Sequence, residues 1–307
     1  LEFLSRVNGA EATRVLDLSG FHLLAFPLRF TYTQTAVTSL SLDDNEILEI
    51  PPEMECLSGL TSLSLKGTPL AHLPLEMGRL SFLTELHVGE DSKIMSPPQE
   101  LISCGAPSVV RYLSQLLLVD ETRTLHLMDL NLSSVPELVF TQTHVTCLDL
   151  SQNRLSTFPD SVLEHMTNVT DLILDKNSIE SVPEDIYVMK LLKSLSLNDN
   201  GLVSVAPEIT CCTDLHTLVL RDNKLVTVPQ DLGAMDALIQ LRLEGNPIET
   251  PPLEVVEQGP DHALAYLQRL CQLKENLFCD LSNMGLAEPF LPCRRNRNDR
   301  FTRTFSC

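Results

Sequence analysis

The stretch LHTLVLRDNKLVTVP, Leu215 to Pro229, decides how this chain folds. Leu218 and Leu220 alternate with Thr217, Val219 and Arg221, a period of two that predicts a short strand with one face buried. Asn223 follows where the backbone must turn inward, and its amide offers both donor and acceptor to main-chain groups that would otherwise be buried unpaired. Pro229 fixes φ and ends strand-like pairing, which launches an outer segment.

The same template, LxxLxLxxNxLxxLP, returns in VTSLSLDDNEILEIP from Val37, LTSLSLKGTPLAHLP from Leu60, VTCLDLSQNRLSTFP from Val145, VTDLILDKNSIESVP from Val169 and LIQLRLEGNPIETPP from Leu238. The first leucine of the LxL pair falls at Leu40, Leu63 and Leu86, then at Leu125, Leu148, Leu172, Leu195, Leu218 and Leu241, in steps of 23 with one of 24; Leu16 leads the first series by 24. Ten units begin near Thr13, Val37, Leu60, Leu83, Thr122, Val145, Val169, Leu192, Leu215 and Leu238. A run of parallel strands joined by crossovers of this length stacks into a solenoid. The expected class is therefore α/β, a horseshoe with a parallel sheet on its concave face. Beyond each proline, apolar pairs three apart, such as Met77 with Leu80 and Ile186 with Met189, predict a short helical or 3₁₀ turn with one edge inward.

The series breaks once. Between Leu86 and Leu125 the step is 39, and the interval holds SPPQELISCGAPSVVRYLSQLL from Ser96, which matches TPPLEVVEQGPDHALAYLQRL from Thr250. An array that stops exposes about four or five inward residues, at roughly 1.5 to 3 kcal/mol each. Each copy is expected to be a lid: a double proline, a glycine (Gly105 or Gly259) at positive φ, and an amphipathic helix over about 106–118 or about 260–273. The organisation expected is a first block of four repeats over 1–121, a second of six over 122–274, and over 275–307 the start of a further repeat, FCDLSNMGLAEPF from Phe278, followed by a disordered basic tail. Only LVDET, 118–122, is left between the first cap helix and the next strand, so the junction should be stiff. The opening units replace the turn asparagine by Phe21 and Leu130. If an asparagine ladder needs a like neighbour on each side, a first unit buries an apolar residue instead, Leu130 against the cap helix.

The template resembles the leucine-rich-repeat family over residues 13 to about 273. The wording PPLEVVEQG followed by Tyr266-Leu267 resembles the C-terminal cap of its intracellular members: the plant Ras-group-related class, the animal Ras-suppressor and Erbin-like proteins, and the segment that closes the array of Roco GTPases. That resemblance implies a non-enzymatic scaffold with a protein partner, such as a small GTPase or another signalling protein. It equally implies an alternative, the recognition arm of a larger signalling enzyme, a Roco-type GTPase or kinase, whose catalytic domain lies outside these residues. An extracellular receptor ectodomain would carry cysteine-rich flanking caps, which this sequence does not have.

Charge narrows the partners. The formal charge is -19, and the segment from Cys293 to Cys307 holds five arginines against Asp299, so the rest carries -19 - 4 = -23. An acidic body repels nucleic acid and anionic lipid. No stretch has the length of a membrane span, and the first residues show no signal-peptide pattern. None of the nine cysteines forms a CxxC pair, and Cys212 takes the place of Leu57 and Leu80, as a small buried hydrophobe would; reduced thiols imply a cytoplasmic location. Phosphate loops, HExxH, EF-hand and GxSxG motifs are absent, so no catalytic, cofactor or metal residues are expected.

What remains is a surface. Side chains between and just after the leucines line the inner face in columns, and those of the second block are the expected binding residues: Asp149, Asp171, Ile173, Asp175, Lys176, Asn198, Val219, Arg221, Asp222 and Arg242. Charges of both signs around apolar Ile173 and Val219 suit a protein partner better than a polyanion.

Overall fold

The computed structural model describes residues 2–28, 36–89 and 93–283. In each unit the paired leucines sink to one side of a short strand: Leu218 and Leu220 are fully buried while Val219 between them is half-exposed. Ten such strands form two parallel sheets. The first sheet holds β1 (Val15–Asp17), β2 (Ser39–Ser41), β3 (Ser62–Leu65) and β4 (Glu85–Val88) in that order. The second holds β5 (Thr124–His126), β6 (Cys147–Asp149), β7 (Asp171–Ile173), β8 (Ser194–Ser196), β9 (Thr217–Val219) and β10 (Gln240–Arg242), again side by side in chain order. Leucine faces leucine across every pairing, as in Leu63 with Leu86 and Leu195 with Leu218. One apolar column therefore runs the length of each sheet. The outer segments are single turns: 3₁₀ helices at Pro52–Cys56, Leu75–Arg79, Glu184–Val188, Pro207–Cys211 and Gln230–Ala234, and short α-helices at Glu137–Phe140 and Asp160–His165.

Side-chain ladders reinforce the stacking on both edges of the strands. The turn asparagine works backwards along the array. Asn223 Nδ2 donates to Leu220 O in its own unit at 3.1 Å and to Leu197 O of the preceding unit at 2.8 Å, while its Oδ1 accepts from Leu202 N at 3.1 Å. Asn45, Asn153, Asn177, Asn200 and Asn246 repeat the arrangement, each reaching a carbonyl of the unit before it. This corrects the expectation that the ladder needs a like neighbour on each side. What an asparagine needs is one preceding unit to receive its second N–H, and a first unit has none. Apolar residues stand there instead: Leu130 is buried, and Phe21 packs edge-on against Phe3 with ring centroids 5.4 Å apart. Threonines form the other ladder, with Thr61 Oγ1 donating to Thr38 O at 2.9 Å, Thr84 to Thr61 O at 3.1 Å and Thr170 to Thr146 O at 3.1 Å.

Three helices close the arrays. Helix α1 (Glu2–Thr13), for which the sequence reading held no expectation, lies against β1, where Arg6 Nη1 bonds Asp17 O at 3.3 Å. Helix α2 (Ala106–Thr122) runs one turn further than about 106–118, and α3 (Pro260–Asn283) runs well past 273. In α2 the residues read as a connector, LVDET, keep the helical spacing, and Val119 is buried; Arg123 then turns left-handed at φ 55° and leads straight into β5. In α3 the leucines Leu267, Leu270, Leu277 and Leu281 keep the three-and-four rhythm with no glycine or proline to stop it, so Phe278 to Asn283, read as a new strand, are helical. The remainder of that stretch and the arginine-rich tail lie outside the described residues.

The lids dock by backbone contact. A Cβ on Gly78 would stand 2.3 Å from Ser114 N, and one on Gly233 would stand 2.4 Å from Leu267 C and O. Both glycines occupy the outer turn of the penultimate unit, where other units carry Glu55, Tyr187 and Thr210. Gly105 and Gly259, at φ 94° and 116°, make the reversals that bring α2 and α3 across. α2 also serves the second sheet. Arg111 Nη2 donates to Met128 O at 2.8 Å and to Asp129 O, and Gln115 Oε1 accepts from His126 N at 3.2 Å; from the short helix Gln99–Ser103 ahead of α2, the Glu100 carboxylate accepts from Ser133 N at 3.0 Å.

Two outcomes follow for stability. Asn223→Ala removes the bonds to Leu197 O, Leu220 O and Arg221 O and leaves the buried Leu202 N without its acceptor, and should lower unfolding free energy in urea by about 2 to 3 kcal/mol. Gly233→Ala forces α3 off the array and should cost about 1 to 3 kcal/mol in the same measurement, whereas Thr210→Ala, at the matching place of the preceding unit, should change it by about 0.5 kcal/mol or less.

Candidate functional site

The concave face of the second sheet is built from three columns, because alternation along each strand sends every second side chain outward. The first column runs Thr124, Cys147, Asp171, Ser194, Thr217 and Gln240, and the middle column runs His126, Asp149, Ile173, Ser196, Val219 and Arg242. The third, just beyond the strands, runs Met128, Ser151, Asp175, Asn198, Arg221 and Glu244. Sequence reasoning named Asp171 but passed over its column neighbours. The signal that finds them is the same period of two, extended one step before the first leucine.

From Asp175 to Glu244 the third column is a bonded row. Asp175 Oδ1 accepts from Asn198 N at 2.8 Å and from Ser196 Oγ at 2.7 Å, and Asp175 Oδ2 accepts from Asn198 Nδ2 at 3.2 Å. Asn198 Oδ1 in turn accepts from Arg221 N at 3.1 Å, and Arg221 Nε stands 3.6 Å from Glu244 Oε2. Asp43 plays the same part in the first block, accepting from Lys66 N at 2.8 Å. Of the expected binding residues, Asp175 and Asn198 are thus committed to joining neighbouring units, and Arg221 extends the row with its side chain still half in solvent.

The middle column carries the contact chemistry. Ile173 and Val219 are half-exposed, with Ser196 between them on the intervening strand. Arg242 lies at one end, next to Gln240, whose amide oxygen, turned toward the guanidinium, receives Nε at 2.6 Å. Asp149 at the other end is largely buried, contrary to the open position expected for it: its Oδ1 accepts from Ser151 N at 2.9 Å, and its Oδ2 is 3.9 Å from His126 Nδ1. Lys176 and Asp222 sit at the rim, fully reachable, in left-handed turns at φ 54° each.

Cys147 marks the acidic end. Register places it beside Asp171 and two residues before Asp149. Burial, then Asp171 and Asp149, push its thiol above the usual value, which keeps it protonated and unreactive. Cys212 is a core residue: it is fully buried, its Sγ donates to Ile186 O at 3.3 Å, and burial pushes it up to about 11. Among the described residues no cluster of three or more His, Cys, Asp or Glu is placed to hold a metal, and no helix is long and apolar enough to cross a membrane. The face offers a mixed surface: Asp171 and Asp175 over β7, aliphatic Ile173 and Val219 on β7 and β9, and Arg221 and Arg242 over β9 and β10 with Asp222 and Glu244 among them.

Comparison with known proteins agrees with the repeat. Residues 120–186 match the family model described as leucine rich repeat. The MAP kinase phosphatase with leucine-rich repeats protein 3 of Dictyostelium discoideum is 40% identical over 63 residues, 20% of this chain and 7% of that protein, so the chain spans a small part of this relative's length. Among solved structures, a leucine-rich-repeat protein of Leptospira interrogans is 26% identical with a TM-score of 0.44, over 79% of this chain and 57% of the other. The plant peptide hormone receptor RGFR1 in complex with RGF2 is 25% identical with a TM-score of 0.39, over 75% and 36%. Leucine-rich-repeat arrays generally mediate protein–protein contact and are typically non-catalytic modules. With a parallel strand in every unit, leucine on leucine and asparagine at most of the turns, the chain folds as a leucine-rich-repeat solenoid, and residues 120–186 match the model of the leucine-rich-repeat family.

Proposed function

We propose that the chain is a non-enzymatic scaffold of intracellular signalling that holds a protein partner on the concave face of β5 to β10. The observation that carries this reading is the grouping of Ile173 and Val219 with Arg221 and Arg242 on one side and Asp171 on the other, mounted on a row of hydrogen bonds that fixes their spacing. Aliphatic and arginine side chains are the types that anchor protein interfaces, and rigid mounting reduces the ordering cost of binding. In the first block the two central strands offer only short hydroxyls in the matching places, Ser39, Ser41, Ser62 and Ser64, flanked by Val15 and Asp17 on one side and Glu85 and His87 on the other. The cap wording points to a signalling protein such as a small GTPase as the partner, and the buried free thiol of Cys212 fits a cytoplasmic setting.

A second reading, the recognition arm of a larger signalling enzyme, is favoured by the Dictyostelium relative, whose name joins leucine-rich repeats to a MAP kinase phosphatase. In that reading the concave face does the same work and the catalytic domain belongs to residues beyond these.

Affinity capture with mass spectrometry tests the face. Val219→Glu with Arg242→Glu should reduce recovery of the wild-type partners at least tenfold, in line with losing anchors worth about 2 kcal/mol or more, with an unchanged melting curve. Equal recovery by the double variant would place the site elsewhere. Asp175→Ala, by contrast, should cost about 1 to 2 kcal/mol of unfolding free energy, because its carboxylate holds three donors of the neighbouring unit.

A further inference from the structure

Residues 3–14, FLSRVNGAEATR, and residues 112–123, YLSQLLLVDETR, start the two sheets in the same way. Both helices end on a threonine whose hydroxyl donates to a carbonyl four residues earlier, Thr13 to Gly9 O and Thr122 to Leu118 O, each at 3.1 Å. Both chains then pass through a left-handed arginine, Arg14 at φ 58° and Arg123 at φ 55°. The carbonyl of each arginine accepts from a threonine amide of the next unit, Thr38 N at 2.8 Å and Thr146 N at 2.9 Å. Further back, Arg6 bonds the main chain of Asp17, and Gln115 at the matching place bonds the main chain of His126. Val7 and Ala10 are buried, as are their counterparts Leu116 and Val119.

The correspondence fails on one face. In α2, Leu113 is fully buried and Ser114 lies on Gly78, because this face closes the block before it. In α1 the counterparts are open: Leu4 is 60% exposed and Ser5 is exposed as well. α1 thus has the half of a lid that begins an array in use, and the half that closes an array uncovered. α2 demonstrates that one helix serves both at once.

We propose that the Leu4 face of α1 is a docking surface for the closing edge of another leucine-rich-repeat block, carried ahead of α1 on the same polypeptide, whose penultimate outer turn presents a glycine to Leu4 and Ser5 as Gly78 does to Leu113 and Ser114. The occupant follows from the interface that α2 already makes. A helix that repeats α2's threonine cap, left-handed arginine, strand contact and buried pair takes on its open face the partner that α2 takes.

The test is to read the coding sequence ahead of Leu1 and to melt the protein made from it. The expected reading frame carries a Pro-Pro pair and a glycine before Phe3 at the spacings that Pro97, Pro98 and Gly105 hold before Tyr112. In that longer protein Leu4→Glu lowers the melting midpoint by several degrees, while in residues 1–307 alone the same change leaves it unmoved. A reading frame without that spacing, or an unchanged midpoint in the longer protein, overturns the proposal. So does self-association of residues 1–307 that Leu4→Glu abolishes, since it would assign the face to a second copy.

Discussion

The whole array depends on how a buried turn finds hydrogen-bond partners. Each inward corner brings main-chain carbonyls and amides into an apolar column where water cannot reach them, and the side-chain amide of one asparagine answers for two units at once. Asn223 ties Leu197 O and Leu220 O together and receives Leu202 N. An unmade bond in that setting costs more than a made one contributes, so the corner dictates both the residue type and the direction in which it reaches. Direction then explains the two opening exceptions, though not Thr68, whose hydroxyl donates to Leu65 O inside its own unit at 2.7 Å. Phe21 and Leu130 stand where no earlier strand of the same sheet supplies a carbonyl, and an aromatic or aliphatic side chain is the cheaper occupant.

Much of this was legible in the residues. Leucines two apart, twenty-three residues from the next pair, leave few arrangements that bury them all, so strands, register and concave columns follow from spacing. The lids were legible too, through Pro97, Gly105, Pro251 and Gly259. Their lengths were not. Leu118 to Thr122 looked like a connector because a strand was due, yet nothing in those residues breaks a helix, and Val119 has core to bury into. α1 is illegible for a different reason: FLSRVNGAEAT has a weak apolar face that makes sense only beside α2.

The candidate face divides along a similar line. Spacing identifies which residues point outward but not which of them are already occupied. Asp175 and Asn198 look in sequence like free polar groups, and the fold spends them on the next unit; Asp149 is turned down toward Ser151. Ile173, Val219, Arg221 and Arg242 stay at least partly exposed: the aliphatic pair has no polar atom to commit, and the arginines meet Glu244 and Gln240 on the face itself. Position in the unit is legible from one repeat, whereas availability depends on the neighbour twenty-three residues away.

The helix Ala106–Thr122 gives the molecule a particular response to stress. It seals one sheet with Leu113 and supplies Arg111 and Gln115 to the other, so melting it strips both arrays of an end at the same moment. Arrays of stacked units ordinarily fray from their tips inward. Here the most consequential place to begin is the middle, and denaturation of either half is bound to be felt by the other, which makes two stacks of unequal length behave as a single cooperative body.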